Sequence, residues 1–254
     1  MNTKKSLRYR IRKTHRYLGL FLGIQFLMWT IGGLYFSWIN MDEVHGDHQR
    51  KPAVLLSVDQ PFVSPQVALY NLRRIQPIDS LFNLQLIPIL DKPYYQVNYV
   101  LQGDASHRKR VQLADATTGE LRAPLSKPEA VAVAKSQFTE QASVSRVEYL
   151  TEVNAHHEYR ENPLPAYAVS FDNANRTTVY VATELGTVQK FRNRSWRFFD
   201  FLWMLHTMDY QSRDNFGNVL LKTFSVVGLI TVLSGFALYG VSSPSIRKLR
   251  KKVA

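Results

Sequence analysis

The sequence predicts an α+β protein in which two transmembrane helices flank two tandem units, each a helix set against a small antiparallel sheet. Three observations predict it. Two uncharged apolar runs stand near the ends of the chain, the excess positive charge lies just outside them, and the stretch between them repeats one helix-then-strands pattern.

Residues 1–16 form a basic tail with seven Lys/Arg and no acid. Residues 17–39 follow as 23 positions without a charge, and residues 223–241 as 19 more. At about 1.5 Å per residue these reach roughly 34 and 28 Å, enough to cross a hydrocarbon core of about 30 Å. A cleavable signal has an apolar region of about 7–15 residues and a small-x-small site. The first run is longer and leaves through Trp38-Ile39-Asn40-Met41-Asp42, so a retained span is expected. Residues 242–254 form a second basic tail with five Lys/Arg and no acid.

The tails hold 12 of the 32 basic residues, and the remaining 20 balance all 20 acids. A nucleic-acid-binding domain carries its basic stripe on the folded part, so nucleic acid is not an expected partner. The lipid bilayer is, with a protein partner or a second copy of the chain beside it. Clustered Lys/Arg beside a span favour the cytoplasmic side. Both termini are therefore expected in the cytoplasm, and residues 40–222 on the far side. The mean hydropathy of −0.21 fits a polar domain diluting two apolar spans. The absence of cysteine excludes disulfide frameworks, zinc ribbons, iron–sulfur ligation and thiol nucleophiles. Gly19 and Gly23 in the first span, and Gly228 and Gly235 in the second, are small residues on helical spacing. They suit close helix pairing, or are the glycine that membrane helices ordinarily contain.

After a connector, 40–62, the first unit (63–123) opens at Ser64-Pro65, a helix cap followed by proline at the first helical position. A helix over 65–74 and strands over 80–87, 94–101 and 108–114 are expected, closing in a turn at Gly119. Alternation in Tyr95-Gln96-Val97-Asn98-Tyr99-Val100 predicts a strand with one buried face. The second unit (124–192) opens at Ser126-Lys127-Pro128-Glu129, with a helix to about 138 and strands over 144–153, 166–171 and 177–182. It closes at Gly186. The offset between units is 63 at the prolines (65 and 128) and 67 at the glycines (119 and 186), which reads as an internal duplication.

The strand segments YQVNYV and YAVSF, with the closing Asp115…Gly119-Glu120 turn, resemble the PepSY domain. The flanks KTHRYLGLFLGIQFLMWTIGGLYFSW, EVHGDHQRK, SWRFFDFLWMLHTMDYQSRDN and SGFALYG resemble the PepSY-associated transmembrane proteins of bacterial inner membranes. The resemblance implies periplasmic PepSY domains held by membrane helices. Simple PepSY domains are thought of as protease-inhibiting or protein-binding modules. Larger members are similar to ferric-siderophore reductases with b-type haem between histidines, and this chain departs from them in having two spans rather than four or more.

The seven histidines sort by position. His107 lies in a polar loop, and His156 and His157 in 154–162, an expected exposed hairpin tip. His15 opens the first span among basic residues, where contact with lipid phosphate is expected. His45 and His48 follow directly on the first span. His206 lies in 193–210, an expected interfacial aromatic helix in which Trp196, Phe199, Trp203 and His206 share one face. His48, His206 and His45 are the candidate cofactor-binding residues, for haem b. Asp42, Glu43, Asp47 and Asp209 are candidates to hold the second imidazole nitrogen. A structural anchor between His206 and a carboxylate, or a divalent metal, are the other readings of the same residues. GxGxxG, Walker, GxSxG and HExxH motifs are missing, so no catalytic residues are assigned. The expectation is a non-enzymatic binding or accessory module of a membrane complex; the alternative is a haem-dependent electron-transfer subunit serving, for example, ferric-siderophore reduction in iron uptake.

Overall fold

A computed structural model describes residues 7–243. The chain divides into two compact units, residues 40–198 and the pair of segments flanking them.

The flanking unit is helical. Helix α1 (Leu7–Trp38) starts ten residues before the apolar run, inside the basic tail. Arg and Lys are good helix formers and no Gly or Pro separates 7 from 17, so nothing stops the helix at the charge boundary. After α5 (Arg194–Thr207), which starts in the other unit, comes α6 (Val219–Ser242). Asn218 caps α6, its Oδ1 accepting from the Leu221 N–H at 2.8 Å. α1 and α6 run antiparallel: His15 meets Ser234, and further along Phe26 meets Gly228. The second helix's glycines make the close approach. A methyl group at Gly228 would lie 3.2 Å from Phe26, and one at Gly235 would lie 3.2 Å from the His15 ring. Gly19 and Gly23 have nothing nearby and play no part in the pairing. Both helices are long and apolar enough to cross a membrane, and only 11% of each apolar window is buried.

The 40–198 unit holds both repeats. A short helix α2 (Met41–His45) and a 3-10 turn (Asp47–Gln49) precede α3 (Pro65–Ile75) and the antiparallel sheet β1 (Ile78–Ile89), β2 (Lys92–Leu101), β3 (Arg110–Asp115), β4 (Leu121–Arg122). Helix α4 (Lys127–Gln137) and the sheet β5 (Val144–Leu150), β6 (Ala166–Phe171), β7 (Thr178–Ala182), β8 (Thr187–Arg192) repeat that order. Ser64 caps α3, and Ser126 closes a capping box with Glu129 on α4. Each repeat thus has a fourth strand beyond the closing glycine, where only a turn is expected from the sequence. Gly119 and Gly186 both sit in the left-handed region (φ +79° and +71°), where side chains other than glycine are strained.

Strand β2 is buried on both faces, not one. Tyr95, Val97 and Tyr99 pack under Ala68 and Leu72 of α3. On the opposite face Gln96 donates to the Leu185 carbonyl at 3.0 Å, so a residue that looks solvent-facing is buried and satisfied by the other repeat's turn. Ile89 and Leu113, on that same face, join the core that α4 forms with Val169, Phe171, Val179, Val181 and Phe191. The repeats therefore share one core.

Candidate functional site

His45 and His48 lie on one loop. Asn40 caps α2, and Gly46 (φ +76°) ends it and turns the chain. A Cβ at Gly46 would lie 2.9 Å from Phe191 Cβ, so the turn is packed flat against the sheet unit. Val44 is fully buried, while Gln49 donates to Glu140 at 3.1 Å and accepts from Thr177 at 3.2 Å. Asn193 clasps the loop, its amide donating to the Glu43 carbonyl at 2.8 Å while its Oδ1 accepts from the Trp196 N–H. Held this way, both imidazoles are exposed. His45 Nδ1 is 3.9 Å from the Asp47 carboxylate, and His48 Nδ1 is 3.3 Å from the Asp42 carbonyl.

His206 belongs to the helical unit. Phe199, Trp203 and His206 stack along α5 as their spacing predicts, at 6.0 and 6.4 Å between centroids with rings within 15°. Phe36 of α1 touches all three, and Trp29 lies 6.1 Å from the His206 ring. Gln25 of α1 adds a 3.0 Å hydrogen bond to the Leu205 carbonyl. Trp196, expected on the same face, belongs to the sheet unit, under the Arg192 guanidinium at 4.0 Å.

The Nδ1 of His206 is buried without a hydrogen-bond partner, and among the described residues no carboxylate pairs with it. Asp209 is occupied elsewhere: its carboxylate accepts from the Ser212 hydroxyl and from the Gln211, Ser212 and Asn215 N–H groups. Burial works to raise its pKa, but these donors outweigh it and hold the group at about 2. His15 likewise differs from expectation: its Nδ1 is 2.8 Å from Ser234 Oγ, so it joins the two helices.

Haem ligation needs an open imidazole nitrogen and a partner that orients the other. His206 brings an aromatic wall and a buried Nδ1 without a hydrogen-bond partner, and His45 and His48 belong to the other unit. Among the described residues no three His, Asp or Glu gather to hold a metal ion.

Two polar clusters were not read from the sequence. Residues 154–162 are an exposed tip only in part: His156 is exposed, but Tyr159 is fully buried and stacks on Tyr180 at 4.6 Å, covering the sheet face opposite α4. Beside it Glu158 accepts from Arg197 twice, at 2.7 and 2.9 Å, and from the Tyr180 hydroxyl at 2.7 Å. Burial pushes the Glu158 pKa up, and these hydrogen bonds and the Arg197 and Arg192 charges overcome it, leaving it lowered. Burial lowers the Arg192 pKa to about 10. The second cluster is a cavity of about 250 Å3 beside β3, lined by Arg108, Lys109, Arg110 and Arg122. The run HRKR signals it, but an overall charge balance of the middle segment conceals it.

Comparison of the chain with family models, with curated proteins and with solved structures finds no match.

Proposed function

We propose that this chain is a membrane-anchored PepSY-type protein that serves as a binding or accessory module of a bacterial inner-membrane complex, without catalysis of its own. The observation that carries the reading is the antiparallel α1–α6 pair. Leu20, Phe21, Ile24 and Leu27 on one helix, and Val226, Leu229, Leu233 and Phe236 on the other, are all exposed. Each such side chain gains roughly 1.5–3 kcal/mol on leaving water, so the pair belongs in lipid. An antiparallel pair puts both chain ends on one side. The basic residues concentrated at those ends make that side the cytoplasm and residues 40–222 periplasmic. A shared core spanning two α+β repeats supplies a rigid body suited to docking.

The test is a photo-crosslinker placed in turn at exposed positions across 40–198 in cells. A discrete partner band from a contiguous patch is expected, and no crosslink from any position contradicts the reading.

A b-type haem electron-transfer subunit is the second reading, carried by the unpartnered His206 imidazole among Trp29, Phe36 and Trp203. Its test is the colour of the purified protein. Soret and α bands abolished by His206→Ala and untouched by His156→Ala would favour it over the first; a colourless protein expressed with ample haem removes it.

A further inference from the structure

The two repeats differ at one edge. In the second, β8 runs six residues and pairs with β7 from Ala182↔Thr187 to Thr178↔Arg192. In the first, β4 is two residues long and pairs with β3 only at Leu113↔Arg122 and Ala114↔Leu121. The 67-residue offset of the closing glycines aligns Val111 and Gln112 with Thr178 and Val179, which β8 covers. It also aligns Pro124 with Phe191. Proline has no N–H to give a ladder, and here the chain leaves for α4 instead of continuing along β3.

The consequence is a bare strand edge. The Asp115 N–H bonds toward the β4 side, to Glu120, and the Ala116 N–H toward β2, to Pro93. Alternation then turns the N–H and C=O of Val111 to the open side. The cavity of about 250 Å3 lies along this edge. Arg108, Lys109 and Arg110 line it and are exposed, and among the described residues none forms an ion pair with a carboxylate. Lys109 rests 6.0 Å over the Phe82 ring, and Arg122 is already paired with Glu129 at 2.8 Å. Glu184 is the one acid in the lining. Three exposed cations without an ion pair, facing one acid beside an unpaired strand edge, call for two things at once, main-chain hydrogen bonds and negative charge.

We propose that the β3 edge at Arg110–Gln112 binds an extended, acidic segment of a partner protein, which adds to the first sheet in the place β8 fills in the second. Val111 pairs with the segment's main chain, and Arg108 and Arg110 take its carboxylates. This rests on the reading of the chain as a binding module and names the chemistry of what it binds.

The experiment uses the full chain in detergent micelles and a fluorescent peptide of alternating glutamate and valine, read by anisotropy. Saturable binding is expected. Substituting both Arg108→Gln and Arg110→Gln should weaken it by roughly tenfold or more. Val111→Pro should do the same while leaving thermal unfolding in place, because that N–H takes no part in the β2–β3 ladder. A peptide N-methylated at alternate residues should not bind. The proposal is overturned by no binding, by equal binding of a lysine–valine peptide, or by unchanged affinity in either variant. Competition by free glutarate as effective as by the peptide would show a small-anion site instead, and peptide-independent dimers lost on Val111→Pro would show a second copy as the occupant; both overturn it. Partner crosslinks elsewhere on 40–198 but never at 111 would defeat this site and leave the module reading intact, whereas crosslinks nowhere would defeat that reading.

Discussion

The first repeat (α3, β1–β4) and the second (α4, β5–β8) share an order of elements and diverge in what covers them. The second has both faces of its sheet covered, by α4 on one and the Tyr159 loop on the other, and β8 pairs along the whole of β7. The first borrows its outer cover from the second, through the Gly186 turn, and its last edge stays open. Duplication therefore does not yield two equal domains. One copy has both sheet faces covered, and the other keeps a stretch of strand edge whose backbone is unpaired.

Four substitutions sharpen or break this contrast. The largest effect is expected at Gly186→Ala. Its Cβ would fall 2.3 Å from Ile89 Cδ1 and 3.0 Å from Leu113 Cδ1, inside the shared core, at a positive φ. A loss of about 3 kcal/mol in denaturant unfolding is expected. Next is Glu158→Gln, which removes the acceptor that holds Arg197 and faces Arg192. Arg197 is about a third exposed, so the cost is discounted to about 2 kcal/mol. Because the folded pKa of Glu158 is lowered, its contribution is present above the ordinary carboxylate value of 4.5 and is lost as pH falls below it. The variant's stability should lack that acid-side decline.

Gly119→Ala should cost less, about 1–2 kcal/mol. Its backbone is as strained as that of Gly186, but the Cβ meets Val67 at 2.5 Å (Cγ1) and 3.1 Å (Cβ), a half-exposed contact relieved by a small shift of α3 and not by opening the shared core. Equal losses at the two glycines would break the claim that the repeats are packed unequally. The smallest effect, about 0.5 kcal/mol or less, is expected for Pro124→Val. Restoring an N–H there should instead raise hydrogen-exchange protection at Val111, as β4 lengthens along β3. Unchanged protection would mean that proline is not what ends the strand.

The helices and turns of this chain are legible because their signals are local. Ser64-Pro65, the Ser126–Glu129 box, the two apolar runs and the two glycines each announce an element within a few residues. What is not legible depends on partners distant in sequence. Gln96 looks solvent-facing by alternation and is buried because Leu185, 89 residues on, accepts its hydrogen bond. Residues 154–162 look like a wet loop because their polar groups are paired with Arg192 and Arg197, which the sequence places in another element. Strand β8 shows no alternation in TVQKFR, where Val188 and Phe191 are three apart because a bulge interrupts its pairing with β7. For the candidate site, position along the chain put His45 and His48 on one loop and His206 on an aromatic helix face. It does not supply the acceptor for His206, because Asp209 serves its own loop.

The central proposal is that both chain ends lie on the cytoplasmic side of a membrane and residues 40–222 on the other. Since the chain has no cysteine, Ser106→Cys, in an exposed loop, and Ser6→Cys, which lies outside the described residues, each introduce a single thiol. In intact spheroplasts a membrane-impermeant maleimide should label the thiol at position 106 and leave that at position 6 untouched until the membrane is dissolved. Labelling at 6, or protection at 106, would contradict the account.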